Sequence, residues 1–126
     1  MAANTKEFIK HITAFLNDIV TTTYDEAPTT GKFPFAVVSG INIIDLASGD
    51  LTSFYMDVYA DEKKTGAAVE LETLCDALRN KITGAVIYVP GIFGAHLGFD
   101  NQNGDRDPEY DIFHRRLSVS ARIFYN

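Results

Sequence analysis

The residue pattern predicts an α+β domain: a four-stranded, mostly antiparallel sheet with two helices packed on one face, in the order α-β-β-α-β-β, spanning residues 1–126 as a single unit. Three observations predict it. Two stretches repeat apolar residues at helical spacing, others alternate apolar and polar residues at strand spacing, and all but one of the connectors are short.

The elements follow in order. Phe8, Ile12, Phe15, Leu16, Ile19 and Val20 form one apolar helical stripe, and Asn4 with Glu7 three residues on reads as a capping box that opens it. The run Thr21-Thr22-Thr23 disfavours continuing the helix, because β-branched residues lose χ1 freedom there. Residues 24–32 read as a polar connector broken by Pro28 and Gly31. Residues 33–44 are apolar on both parities, which suits a strand covered on both sides, with Ser39-Gly40 marking a bulge. After turn chemistry at 47–50, residues 52–60 alternate, with Phe54, Met56, Val58 and Ala60 inward and Tyr55, Asp57 and Tyr59 outward. The two runs make a hairpin.

A charged break at 61–66 precedes the second helix. Its inward stripe is Ala67, Leu71, Leu74, Cys75, Leu78 and Ile82; Glu70, Glu72, Asp76 and Arg79 point outward, and Gly84 ends it. Residues 85–89 form a short third strand. Residues 90–109 then lack clear periodicity and read as a long loop, of the kind that is usually functional or disordered. Leu117, Val119, Ala121, Ile123 and Tyr125 alternate with Ser118, Ser120, Arg122 and Phe124 in a last strand that reaches the C-terminus.

Composition narrows the function. A net charge of −6 opposes nucleic-acid binding, which works by neutralising phosphates, and it also disfavours anionic membranes. No apolar run approaches the ~20 residues that span a bilayer, and the N-terminus lacks a signal pattern. A lone Cys75 leaves no internal disulfide and fits a reducing cytoplasm. Nine Phe and six Tyr are more rings than a core of this size needs, which places some of them near the surface, where interfaces use them.

No reactive constellation emerges. His11, His96 and His114 fall in three different elements, without the second ligand at i+2 to i+4 that marks a zinc site. The glycine-rich segment 91–98 follows a strand as a phosphate loop would, but turn formers follow it instead of a helix N-terminus. Asp100, Asp105, Asp107, Glu109 and Asp111 invite a calcium reading. In that register Phe99 stands where the first ligand belongs, and a solvated hairpin tip accounts for the acids. Cofactors and metals are therefore not expected. The apolar residues of the 90–109 segment (Ile92, Phe93, Leu97 and Phe99) have a better use as rings that order on a partner.

The element order, read with the strand at 33–38, its partner at 54–59, the helix around 70–78 and the closing strand at 116–124, resembles the tail-terminator (tail-completion) proteins of long-tailed bacteriophages. The resemblance implies a virion protein assembled in the bacterial host cytoplasm. It implies a hexameric ring of identical copies that caps the tail tube, meets a head-completion or connector protein, and lets DNA pass without specific binding. Tyr55, Tyr59, Ile92, Phe93, His96, Leu97, Phe99, Arg106, Arg115, Arg116, Arg122 and Phe124 are then the candidate assembly residues. A head–tail connector or minor capsid component, or a non-viral dimeric ligand-binding domain, are the alternative readings. An enzyme is not expected.

Overall fold

The computed structural model describes residues 4–29, 31–46, 49–61, 63–107 and 112–125, with the side chains of 105–107 outside that description. The chain runs α1 (Thr5–Asn17), β1 (Thr21–Tyr24), β2 (Phe35–Leu46), β3 (Gly49–Asp61), α2 (Ala67–Ile82), β4 (Val86–Val89), β5 (Phe93–Asp107) and β6 (Ile112–Tyr125). The expected four-stranded sheet is replaced by one curled, mixed sheet of six strands in the order β1-β2-β3-β6-β5-β4. β1 runs parallel to β2, and every other neighbouring pair is antiparallel.

Two strands account for the difference. The threonine run that ends α1 becomes β1: the Asn17 side chain accepts a hydrogen bond from Thr22 N at 3.0 Å, turning the chain straight from the helix onto the edge of β2. β-branched residues that are poor in a helix are well suited to this pleated position. The larger departure is β5, a 15-residue strand where a loop was expected. Phe93, Ala95, Leu97 and Phe99 do alternate, but the register shifts between Phe99 and Asn101, so beyond that point even-numbered residues face the helices. One extra residue, Asp100, reverses the phase and hides the period. Full-length pairing with β6 holds the segment despite its glycines and turn formers.

β2 contains the same device. Its register shifts between Ser39 and Asn42, with Gly40 at φ +64°, as the Ser39-Gly40 pattern predicts. Covering on both sides does not occur: among the described residues, no element packs over the face of β2 turned away from the helices. At the tip of the β2–β3 hairpin, Gly49 sits at φ +141°, where an added Cβ would lie 2.2 Å from the Ile123 carbonyl oxygen. Only glycine fits there.

Both helices bury their apolar stripes in one core. Phe8, Ile12 and Leu16 of α1 and Leu71, Cys75, Leu78 and Ile82 of α2 meet Phe54, Met56, Phe93, Leu117, Val119 and Ile123 of the sheet. Phe8 packs edge-on against both Phe54 and Phe93, with centroids at 6.1 and 5.9 Å. Asn4 caps α1 by accepting from Glu7 N at 3.4 Å, and Gly84, at φ +71°, follows the last turn of α2. Lys81 joins the helices, paired with Asp18 at 3.2 Å and lying over the Phe15 ring. The helix-to-sheet join is polar: Glu72 accepts from Arg115 Nε and, at 3.3 Å, from Gln102 Nε2.

Phe93 and Leu97 are therefore core residues, not rings displayed on a loop. Replacing Phe93 by Ala should cost about 3–5 kcal/mol of unfolding free energy in a denaturant titration, the loss typical of a buried phenylalanine. An exposed loop residue would change stability by less than about 0.5 kcal/mol.

Candidate assembly face

The two helices lie on the same side of the sheet, so its other side, the outer face, is covered by no described element. Its content follows from strand register. At one end, Phe35, Tyr59 and His114 are cross-strand partners on β2, β3 and β6. They stack in sequence: Phe33 to Phe35 at 5.3 Å, Phe35 to Tyr59 at 5.2 Å, and Tyr59 to His114 at 4.8 Å with the planes 12° apart. Neighbouring rings on a pleated surface stabilise a sheet by contact beyond simple burial.

Asp57 stands in the adjoining row, between Val37 and Arg116. It is only 4% exposed although it lies on the uncovered side, held between the side chains of Arg116 and His114. Arg116 donates to it twice, Nε to Oδ1 at 2.8 Å and Nη2 to Oδ2 at 3.2 Å, and His114 Nε2 lies 2.7 Å from Oδ1. Burial pushes the Asp57 carboxyl up, but the hydrogen bonds and charges of Arg116 and His114 outweigh it, and the net shift is below the ordinary 3.8. The same bond raises Arg116, whose guanidinium also lies 4.3 Å over the Tyr55 ring. Burial, together with the Asp57 charge, raises Tyr59. The cluster is closed on itself, each charged group satisfied by the next.

Across the middle of the face the side chains become small and polar: Ser53, Ser118 and Ser120, with Ser120 Oγ donating to Asp100 at 3.2 Å. A shallow cavity of about 210 Å³ opens here, lined in part by Gly40, Asn42, Tyr55 and Ser118. The far end is mainly apolar, with His96 and Arg122 set in the middle of one row. One row runs Val86, His96, Arg122, Leu51, Ile44, and its neighbour carries Tyr88, Gly94, Phe124 and Leu46. Val86 is 66% exposed, Tyr88 61% and Ile44 51%.

Of the residues expected from sequence, the outer face brings together Tyr55, Tyr59, His96, Arg116, Arg122 and Phe124. Arg122 lies 5.9 Å over the Phe124 ring. Phe93 and Leu97 are in the core, and Phe99 is half-buried on the helix side beneath Arg79 at 4.8 Å. Ile92 is half-buried in the turn between β4 and β5, and Arg115 is tied to Glu72 on the helix side. Arg106 lies within β5, its side chain outside the described residues. Sequence reasoning missed Asp57 and His114 as partners, and it missed Ile44, Leu46, Leu51, Val86 and Tyr88. The apolar residues on both parities of 33–46 were the signal for the β2 members. In the calcium reading, Glu109 and Asp111 fall outside the described residues, and among those described no group of three His, Cys, Asp or Glu is placed to hold a metal ion.

The fold and this face define a structural α+β domain that displays rings and self-satisfied charges rather than a cleft of reactive groups. The family model described as Tail completion protein gp17 matches residues 9–123, and the chain belongs to that family; it is a bacteriophage virion structural protein. Among solved structures, a chain from "Virion of native gene transfer agent (GTA) particle" is 20% identical, covering 86% of this chain and 84% of that one with a TM-score of 0.63, a likeness of fold. No curated protein matches in sequence. No described helix is long and apolar enough to cross a membrane.

The Asp57 cluster has a testable energetic consequence. Because the folded-state carboxyl titrates below its ordinary value, its stabilisation is present above that value and is lost as pH falls through the lower folded one. Asp57→Asn should cost about 1.5–3 kcal/mol near neutral pH. In denaturant titrations the gap to the unaltered chain should shrink as the pH is taken below 3.8.

Proposed function

We propose that this chain forms a closed ring of identical copies, six by the family resemblance, that caps the finished tail tube and joins it to the head. The observation that carries the reading is the uncovered sheet face, with an aromatic–charge ladder at one end and an apolar stripe reaching both sheet edges at the other. A lone soluble domain normally avoids such a surface, and one covered by neighbours uses it. A contact between unlike surfaces closes into a ring when the rotation between copies suits. The tail tube protein and a head-completion or connector protein are the partners on the two ring faces. DNA crosses the ring without specific binding, and the net charge of −6 supports this, because acidic walls repel phosphates. The role is structural and not enzymatic: Asp57, His114 and Arg116, the titratable cluster of the face, are engaged with one another.

Electron microscopy of the purified chain at high concentration, with mass measured in parallel, tests the reading. End-on rings and a mass near six copies are the expected result. A species that stays monomeric or stops at a dimer at every concentration overturns it.

A further inference from the structure

The proposed ring leaves open which surfaces of neighbouring copies meet, and resting on that reading, we infer that β4 of one copy adds in parallel to the free half of β2 in the next. Within the sheet, β1 occupies the edge of β2 only along residues 35–38. Past the bulge, no described strand pairs with the outward side of residues 39–46. The opposite edge of the sheet is β4, a strand of four residues, 86–89, bonded on one side only. These two edges carry apolar side chains where an isolated sheet would place lysine, proline or a covering loop: Ile43, Ile44 and Leu46 on one, Val86 and Tyr88 on the other.

Direction and length select the pairing. Four antiparallel steps separate β2 from β4, through β3, β6 and β5, so the two strands run the same way. With a ring axis along the strands, rotation preserves that direction, and the β4 edge arrives parallel to β2. The first half of β2 already accepts a parallel strand of this length, since β1 is also four residues. The stripe supports the same junction. Its row begins at Val86 on one edge and ends at Ile44 on the other, so edge-to-edge addition makes these two side chains cross-strand neighbours on one face. Pairing β2 with β2 about a two-fold axis would instead use up the edge in a dimer and leave β4 bare.

The test uses the full chain at ring-forming concentration. Ile44→Lys and Val86→Lys alter exposed positions, so each variant should keep the unaltered chain's circular dichroism and melting temperature as a monomer. Each should raise the concentration needed for rings by at least about tenfold, the effect of ~1.4 kcal/mol lost per contact. Ile44→Cys combined with Val86→Cys, treated with a short bis-maleimide, should give a ladder of cross-linked species up to the ring, with Cys75 buried and out of reach. Either single cysteine variant should give no ladder. Rings that persist unchanged in both lysine variants, with no ladder from the double-cysteine chain, overturn this inference and leave the ring reading standing. Cross-linked dimers from Ile44→Cys alone overturn it in favour of β2 self-pairing. Absence of rings from the unaltered chain removes the underlying reading and this one with it.

Discussion

A sheet whose two covering helices lie on one side must close its other side by different means, and the remaining features of this molecule follow from that asymmetry. On the helix side the answer is ordinary apolar burial, with Phe8 wedged between Phe54 and Phe93 at the centre. On the bare side the answer changes along the strands. At one end Phe33, Phe35, Tyr59 and His114 lie over each other, and beside them Asp57 is bonded to His114 and neutralised by Arg116. At the other end nothing comparable among the described residues covers Ile44, Leu51, Val86 and Tyr88.

The two ends show how context decides whether a polar or an apolar group is the anomaly. Asp57 is a carboxylate with almost no access to water, tolerable because two donors from Arg116 and a contact from His114 satisfy its oxygens. At the other end the exposed apolar side chains flank His96 and Arg122, and large exposed apolar patches are uncommon on isolated soluble domains. That contrast is what the family assignment makes intelligible, since a virion protein spends its working life against neighbours.

Bulges explain why some of the site was hidden from a linear reading. At Ser39–Asn42 and again at Phe99–Asn101 one additional residue swaps the faces of everything that follows. Clean alternation at 52–60 announced β3 and its outward tyrosines directly. Across 90–109 the phase reversal, together with glycines and acids, imitated a loop, and Phe93 and Leu97 were displaced from the core to the surface in the expectation. The threonine run after α1 carried a true signal, resistance to helix, but nothing local said that it would become a strand beside β2.

The amino-acid order alone determined the two helices and their inward stripes, the Asn4 cap of α1, the Gly84 end of α2 and the β2–β3 hairpin with its bulge, because each of these rests on spacing within one short segment. The family resemblance rested on the order of elements along the whole chain. Tertiary structure alone decided the six-strand order, the union of Asp57 with His114 and Arg116 across 57 and 59 positions, and the stripe that runs from Val86 to Ile44. Those facts depend on which strands lie side by side and in what register. Pairing between distant segments sets that register, and no local periodicity records it.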